Sequence, residues 1–362
     1  MVEPRHPPSR DRSAGRRTDV QSALRHTARA MFQPLNLVIG LVLLLIGHAL
    51  SIGDPTDRTP FAACDARGWR AGKVTCATFS ADGRSLCAGG LEGSFVVWDV
   101  ASRQVRTMST GRGGNGSRAA LDRDGRTLAV ENRDATVTLV DLATGRRRAD
   151  LPAHAGAVWS LAFSRDGTVL ASADDAGVRL WEAATGRLLP GPGFALGGMR
   201  CLAFAPDGRA LAASDMDGRI RLIDLRTGRE RLSFQAHSGP LSSLTYSDDG
   251  RMLASTSTFD EVARLWEADG GRPLLELKGH SRSVQAAAFA PGGRTVATAG
   301  TDGRVRLWDV PSGRLLETLS CGNASATVVA FSPDGRTLAG ATSESIRLWN
   351  TERVSGPTSR VD

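Results

Sequence analysis

Three stretches of the chain carry a histidine, a hydroxyl residue, an acid and a tryptophan in the same order. They are His154, Ser172, Asp175 and Trp181; His237, Ser255, Asp260 and Trp266; and His280, Thr298, Asp302 and Trp308. A serine, a histidine and an aspartate can form a relay in which the imidazole takes the hydroxyl proton and the carboxylate orients the ring, the chemistry of a hydrolase. Repetition argues against that reading here, because a nucleophile acts as one group at one site, and a set that recurs three times at regular spacing fits a structural role. Other chemistry is equally absent from the sequence. No histidine pairs with a glutamate at metalloprotease spacing, and Gly113-Gly114-Asn115-Gly116 has neither the lysine nor the following helix of a phosphate loop. Cys64, Cys76, Cys87, Cys201 and Cys321 form no CxxC pair and no metal-ligand or disulfide framework. No catalytic residue, metal, cofactor or small-molecule substrate is therefore expected.

The histidine sets sit inside a longer repeat. Trp98, Val140, Trp181, Ile223, Trp266, Trp308 and Trp349 follow one another at intervals of 41 to 43 residues. A second marker runs about fifteen residues ahead of each: Asp82-Gly83, Asp124-Gly125, Asp166-Gly167, Asp207-Gly208, Asp249-Gly250, Gly292-Gly293 and Asp334-Gly335. Asp-Gly pairs between short apolar runs mark hairpin turns, because glycine accepts the positive φ that other residues resist. Seven turns in phase with seven closing residues predict an all-β, seven-bladed propeller of four-stranded antiparallel blades, since a period of about 40 to 45 is that of one blade.

Gly279-His280, the run Phe331-Ser-Pro-Asp-Gly-Arg336 and Leu307-Trp308-Asp309 make residues 59–350 resemble the WD-repeat (WD40) family. The resemblance implies that the histidine sets form buried hydrogen-bond chains running from the acid through the histidine to the hydroxyl and the indole. It also implies that an N-terminal strand completes the last blade, which would remove an exposed edge. Four units depart from the pattern. Arg70 and Cys321 stand at histidine positions, two other units offer only glycine-rich loops there, and Val140 and Ile223 replace the tryptophan.

The net charge of +7 and the pI near 9.9 raise the question of nucleic acid. Seven arginines against three acids in residues 1–34 supply most of that charge, leaving the ring nearly balanced, so no nucleic-acid partner is expected. Residues 1–34 read as a disordered Arg-rich tail. Residues 35–53 carry no formal charge, and as a helix they reach ~28 Å, enough for one transmembrane span. A cleaved signal peptide ending near Ala49-Leu50-Ser51 is the alternative, and it would yield a secreted ring. Arginines before the span and Asp54 and Asp57 after it place the N-terminus in the cytoplasm and the ring outside. Residues 54–58 form a linker and 351–362 a polar tail.

With chemistry absent, surface remains. Family resemblance points to the residue four before each blade's innermost aromatic and the residue before each turn acid as partner contacts. Of these, Trp159, Arg200, Met216, Phe259, Arg133 and Gln285 are the candidates, being types enriched or adaptable at interfaces. The expected function is a non-catalytic protein-protein interaction scaffold tethered to a membrane, binding a protein or peptide. A ligand-sensing or enzymatic propeller, such as the sensor part of a bacterial membrane kinase, is the rival reading.

Overall fold

The structure, a computed structural model, describes residues 62–65, 74–90, 95–109, 118–132, 134–152, 154, 156–190, 198–343 and 345–352. The tail 1–34, the apolar stretch 35–53, the linker 54–58 and Arg133 lie outside these residues. Among the described residues no helix is long and apolar enough to cross a membrane.

Why the chain forms short strands is visible in the turns. In the first blade Ser80 Oγ donates to Asp82 Oδ1 at 2.6 Å, and that carboxylate accepts the Arg84 amide at 3.0 Å. Gly83 then takes φ of 68°, and its amide returns to the Ser80 carbonyl at 2.8 Å. Ser164, Ser247 and Ser332 bond Asp166, Asp249 and Asp334 in the same way. The Asp-Gly pair is thus part of a wider loop in which the acid caps the turn and the glycine supplies the left-handed residue.

The first blade draws its strands from Val74 to Ser109, the second from Ala119 to Leu151, the fourth from Cys201 to Gln235, the fifth from Leu241 to Lys278 and the sixth from Val284 to Ser320. Each of these is a four-stranded antiparallel sheet in chain order. The seventh blade joins Val328–Phe331, Thr337–Ala341 and Ser345–Asn350 to the N-terminal strand Ala62–Asp65. Ala62 pairs Leu348 and Asp65 pairs Ser345, antiparallel. The third blade is described less fully. Its described strands are Ser160–Phe163, Val169–Asp174 and Gly177–Glu182, and a single bridge between Trp181 and Leu188 stands where a fourth strand would pair. Pro190, two residues on, has no amide hydrogen to extend that pairing.

First strands of neighbouring blades touch one another around a closed ring, and the last meets the first. Across that junction Thr327 Oγ1 donates to the Val74 carbonyl at 3.1 Å. Among the described residues an apolar cluster fills each of the seven blade interfaces, and each closing residue belongs to the cluster it shares with the preceding blade. Trp181 packs with Val137 and Leu139 of the second blade, and Trp98 with Ile346 and Leu348 of the seventh. Second strands such as Thr127–Glu131 and Ala210–Ser214 are buried throughout, because neighbours cover both of their faces.

Candidate functional site

In the sixth blade the repeated polar set forms one chain. Trp308 Nε1 donates to Thr298 Oγ1 at 2.8 Å, His280 Nε2 meets the same oxygen at 2.8 Å, and His280 Nδ1 lies 3.0 Å from Asp302 Oδ1. The fifth blade repeats this with Trp266, Ser255, His237 and Asp260. Ser172, Ser255 and Thr298 are fully buried, each held between an indole and an imidazole, so these hydroxyls have no path to a substrate. Burial lowers the pKa of all three histidines from the ordinary value, keeping the rings neutral. At Asp302 burial pushes the pKa up, but His280 and Arg306 outweigh it and hold the carboxyl below its usual range.

The third blade ends differently. Trp181 Nε1 donates to Ser172 Oγ at 2.8 Å and His154 Nε2 meets that oxygen at 2.7 Å, but His154 Nδ1 bonds the Ala135 carbonyl at 3.0 Å. A carbonyl only accepts, which assigns the proton to Nδ1 and makes Nε2 the acceptor of the Ser172 hydroxyl. Asp175 stands outside this chain and accepts Trp159 Nε1 at 2.7 Å. Its neighbour Asp174, buried at 1% exposure, pairs Arg179 at 2.8 Å and caps the amides of Ala176 and Gly177. The turn runs directly from Asp174 to Gly177 between paired strand ends, and this tightness brings Asp174 inward and leaves Asp175 on the rim.

Arg179 belongs to a series that the histidine sets did not disclose. Arg221, Arg264, Arg306 and Arg347 also stand two residues before the closing residue, a signal contained in the repeated Arg-Leu-Trp triplets. Arg306 pairs Asp302 at 2.7 Å, Arg264 pairs Asp260, Arg221 pairs Asp215 at 3.3 Å, and Arg347 reaches the Ser320 carbonyl at 3.0 Å. The seventh blade has Gly340 where the third, fifth and sixth have the hydroxyl. There Trp349 is buried, and among the described residues its Nε1 has no acceptor. The indole lies so close that a Cβ at position 340 would come within 2.7 Å of it.

Three of the candidate contact residues come together. The Arg200 guanidinium lies 3.4 Å from the centroid of the Trp159 ring, and Arg200 Nε donates to Met216 Sδ. Burial lowers the Arg200 pKa and the neighbouring Arg118 charge adds to this, while Asp175 opposes it. Phe259 is 72% exposed and its ring lies against Gly239. Its neighbour Thr258 lines, with Arg200, Gln285, Ser242, Thr327 and Arg118, a cavity of roughly 460 Å³ at the mouth of the central channel. Gln285 Nε2 donates to Ser283 Oγ at 3.1 Å. Arg118 was not among the candidates, because it lies one residue past the position that the repeat alignment selects.

Comparison with known families and proteins follows the same repeat. The model "WD domain, G-beta repeat" matches residues 145–182, 271–309 and 313–350. The "Anaphase-promoting complex subunit 4 WD40 domain" model matches residues 196–249, and "Outer membrane protein assembly factor BamB" matches 45–149. Apoptotic protease-activating factor 1 of Homo sapiens is 29% identical over 153 residues, 42% of this chain and 12% of the relative, and its Rattus norvegicus counterpart is 30% identical over the same length. WD repeat and SOCS box-containing protein 1 of Xenopus tropicalis is 29% identical over 85 residues, 23% of this chain and 20% of the relative. This chain thus spans only a small part of the relatives it matches. Repeat matches in phase with a closed seven-bladed ring support a WD-repeat propeller.

Proposed function

We propose that this chain is a non-catalytic scaffold that holds a protein or peptide partner on the rim beside the channel mouth. The cluster of Trp159, Arg200 and Met216 carries this reading. Arg200 is stacked and held by its neighbours, Trp159 is braced by Asp175, and Met216 remains 43% exposed. An aromatic, an arginine and a methionine fixed in one exposed place are the composition of an interface centre. Phe259 adds an exposed apolar ring on the blade that follows the fourth. Membrane tethering through residues 35–53 is part of the proposal, supported by that uncharged stretch and its flanking charges.

The test is affinity capture from a membrane extract with the intact chain and with a Trp159→Ala, Phe259→Ala double variant. Capture of the main partner should be lost while stability stays within about 1 to 2 kcal/mol, since rim residues contribute little to the core. Undiminished capture by a folded double variant would move the site elsewhere. Collapse of the variant would show that these aromatics belong to the core.

A further inference from the structure

The described wall of the channel mouth draws residues from six of the seven blades, and among the described residues its charged members are two arginines, Arg118 and Arg200. Arg118 occupies a position at which the other blades carry Cys76, Ser160, Cys201, Ser243, Ala286 and Val328, so it alone sends a long side chain inward from there. Arg200 enters from the fourth blade with its face and its Nε committed to Trp159 and Met216. That fixes the plane of the guanidinium and leaves its two terminal nitrogens as donors.

Nearby acids are occupied. Glu131, buried at 4% exposure, gives its two oxygens to the backbone amides of Arg118 and Val158 at 3.2 and 3.1 Å. Asp175 accepts the Trp159 indole. Among the described residues no carboxylate forms an ion pair with Arg118 or Arg200. Three hydroxyls in the wall are committed as well, Thr75 to the Gly89 carbonyl at 3.3 Å, Ser242 to the Val284 carbonyl at 3.0 Å and Thr327 to the Val74 carbonyl. Two like charges sharing one mouth repel each other, and an arginine fork is matched to an oxyanion by two parallel hydrogen bonds.

We propose that the channel mouth is an oxyanion site in which Arg118 and Arg200 together hold the carboxylate of an acidic side chain presented by a partner peptide. This rests on the scaffold reading and gives its partner a chemistry. A peptide is the source because the mouth adjoins Met216 and Phe259, which suit an apolar residue flanking the acid and offer nothing to a free anion.

The experiment uses the full chain and fluorescence anisotropy, with a labelled oligoglutamate peptide, its oligoglutamine counterpart and inorganic phosphate as probes. Oligoglutamate should bind and oligoglutamine should not. Arg118→Gln and Arg200→Gln should each weaken oligoglutamate by about tenfold, the loss of one charge-assisted pair. Arg187→Gln and Arg272→Gln remove the same charge from side chains 64% and 65% exposed elsewhere and should leave binding unchanged. Equal losses in all four variants would reduce the effect to net charge and overturn the site, as would no loss in the first two. Phosphate binding that depends on both arginines without peptide binding would overturn the peptide as the source. Arg118→Lys keeps the charge and should retain part of the affinity, so a folding defect in Arg118→Gln cannot imitate the result. If the captured partner is lost with the Trp159 and Phe259 double variant yet kept by both Arg→Gln variants, the scaffold stands and the oxyanion site falls.

Discussion

His280 and His154 occupy the same repeat position and end their hydrogen-bond chains on different acceptors, and the difference is measurable. Asp302, with a side chain 5% exposed, receives His280 and Arg306 together, so Asp302→Ala leaves both without their acceptor. Orphaning buried polar groups in this way costs ~1 to 3 kcal/mol. Asp175 bonds Trp159 on the rim and never meets His154, so Asp175→Ala should cost clearly less. Chemical denaturation of the two variants decides the point, and equal losses would contradict the assignment of the buried acid. The sequence could not separate them. Asp174 and Asp175 are adjacent and identical in type, and which one turns inward depends on a turn length set by strand pairing. Arg118 was hidden for a related reason: its role comes from entering a shared channel, and a position that is small in six blades gives no warning of the seventh.

At the level of strands and blades, the repeat spacing was legible because every unit needs the same two devices, a glycine at positive φ in the turn and a large apolar residue against the preceding blade. Val140 and Ile223 satisfy the second need without an indole, which is why the period survives where the tryptophan does not. Outer strands were less legible than inner ones, since they face solvent and carry little apolar signal. Ala62–Asp65 is the exception with a consequence for the whole ring. It covers the outer edge of Ser345–Asn350 by antiparallel pairing, and without it the last blade would expose a row of unpaired backbone groups. Deleting residues 59–68 should therefore lower the melting temperature of the whole ring in one cooperative transition, because the strand closes the circle and does not decorate it. A calorimetric scan that returns the unaltered melting temperature would show that the circle holds through the Thr327–Val74 hydrogen bond and the apolar cluster between the first and seventh blades.

For the chain as a whole, the scaffold reading depends on where the ring is displayed. Most of the net positive charge lies before residue 35, and the stretch 35–53 is uncharged, long enough as a helix to cross the hydrocarbon core at ~28 Å. In the proposed topology the arginines keep the preceding segment on the cytoplasmic side, with Asp54 and Asp57 on the side of the ring. We expect the protein to stay in the membrane fraction after carbonate washing, and protease added outside the cell to remove the ring while sparing residues 1–34. Washing strips proteins held only by surface charge, so retention separates a span from an Arg-rich tail resting on acidic lipid. Intact-mass measurement of the extracted chain supplies the second arm. A mass that includes residues 1–34 agrees with an anchor, whereas a soluble form beginning near Ile52 would establish a cleaved signal and a released ring. A ring protected from external protease would reverse the orientation, and with it the compartment in which an acidic partner should be sought.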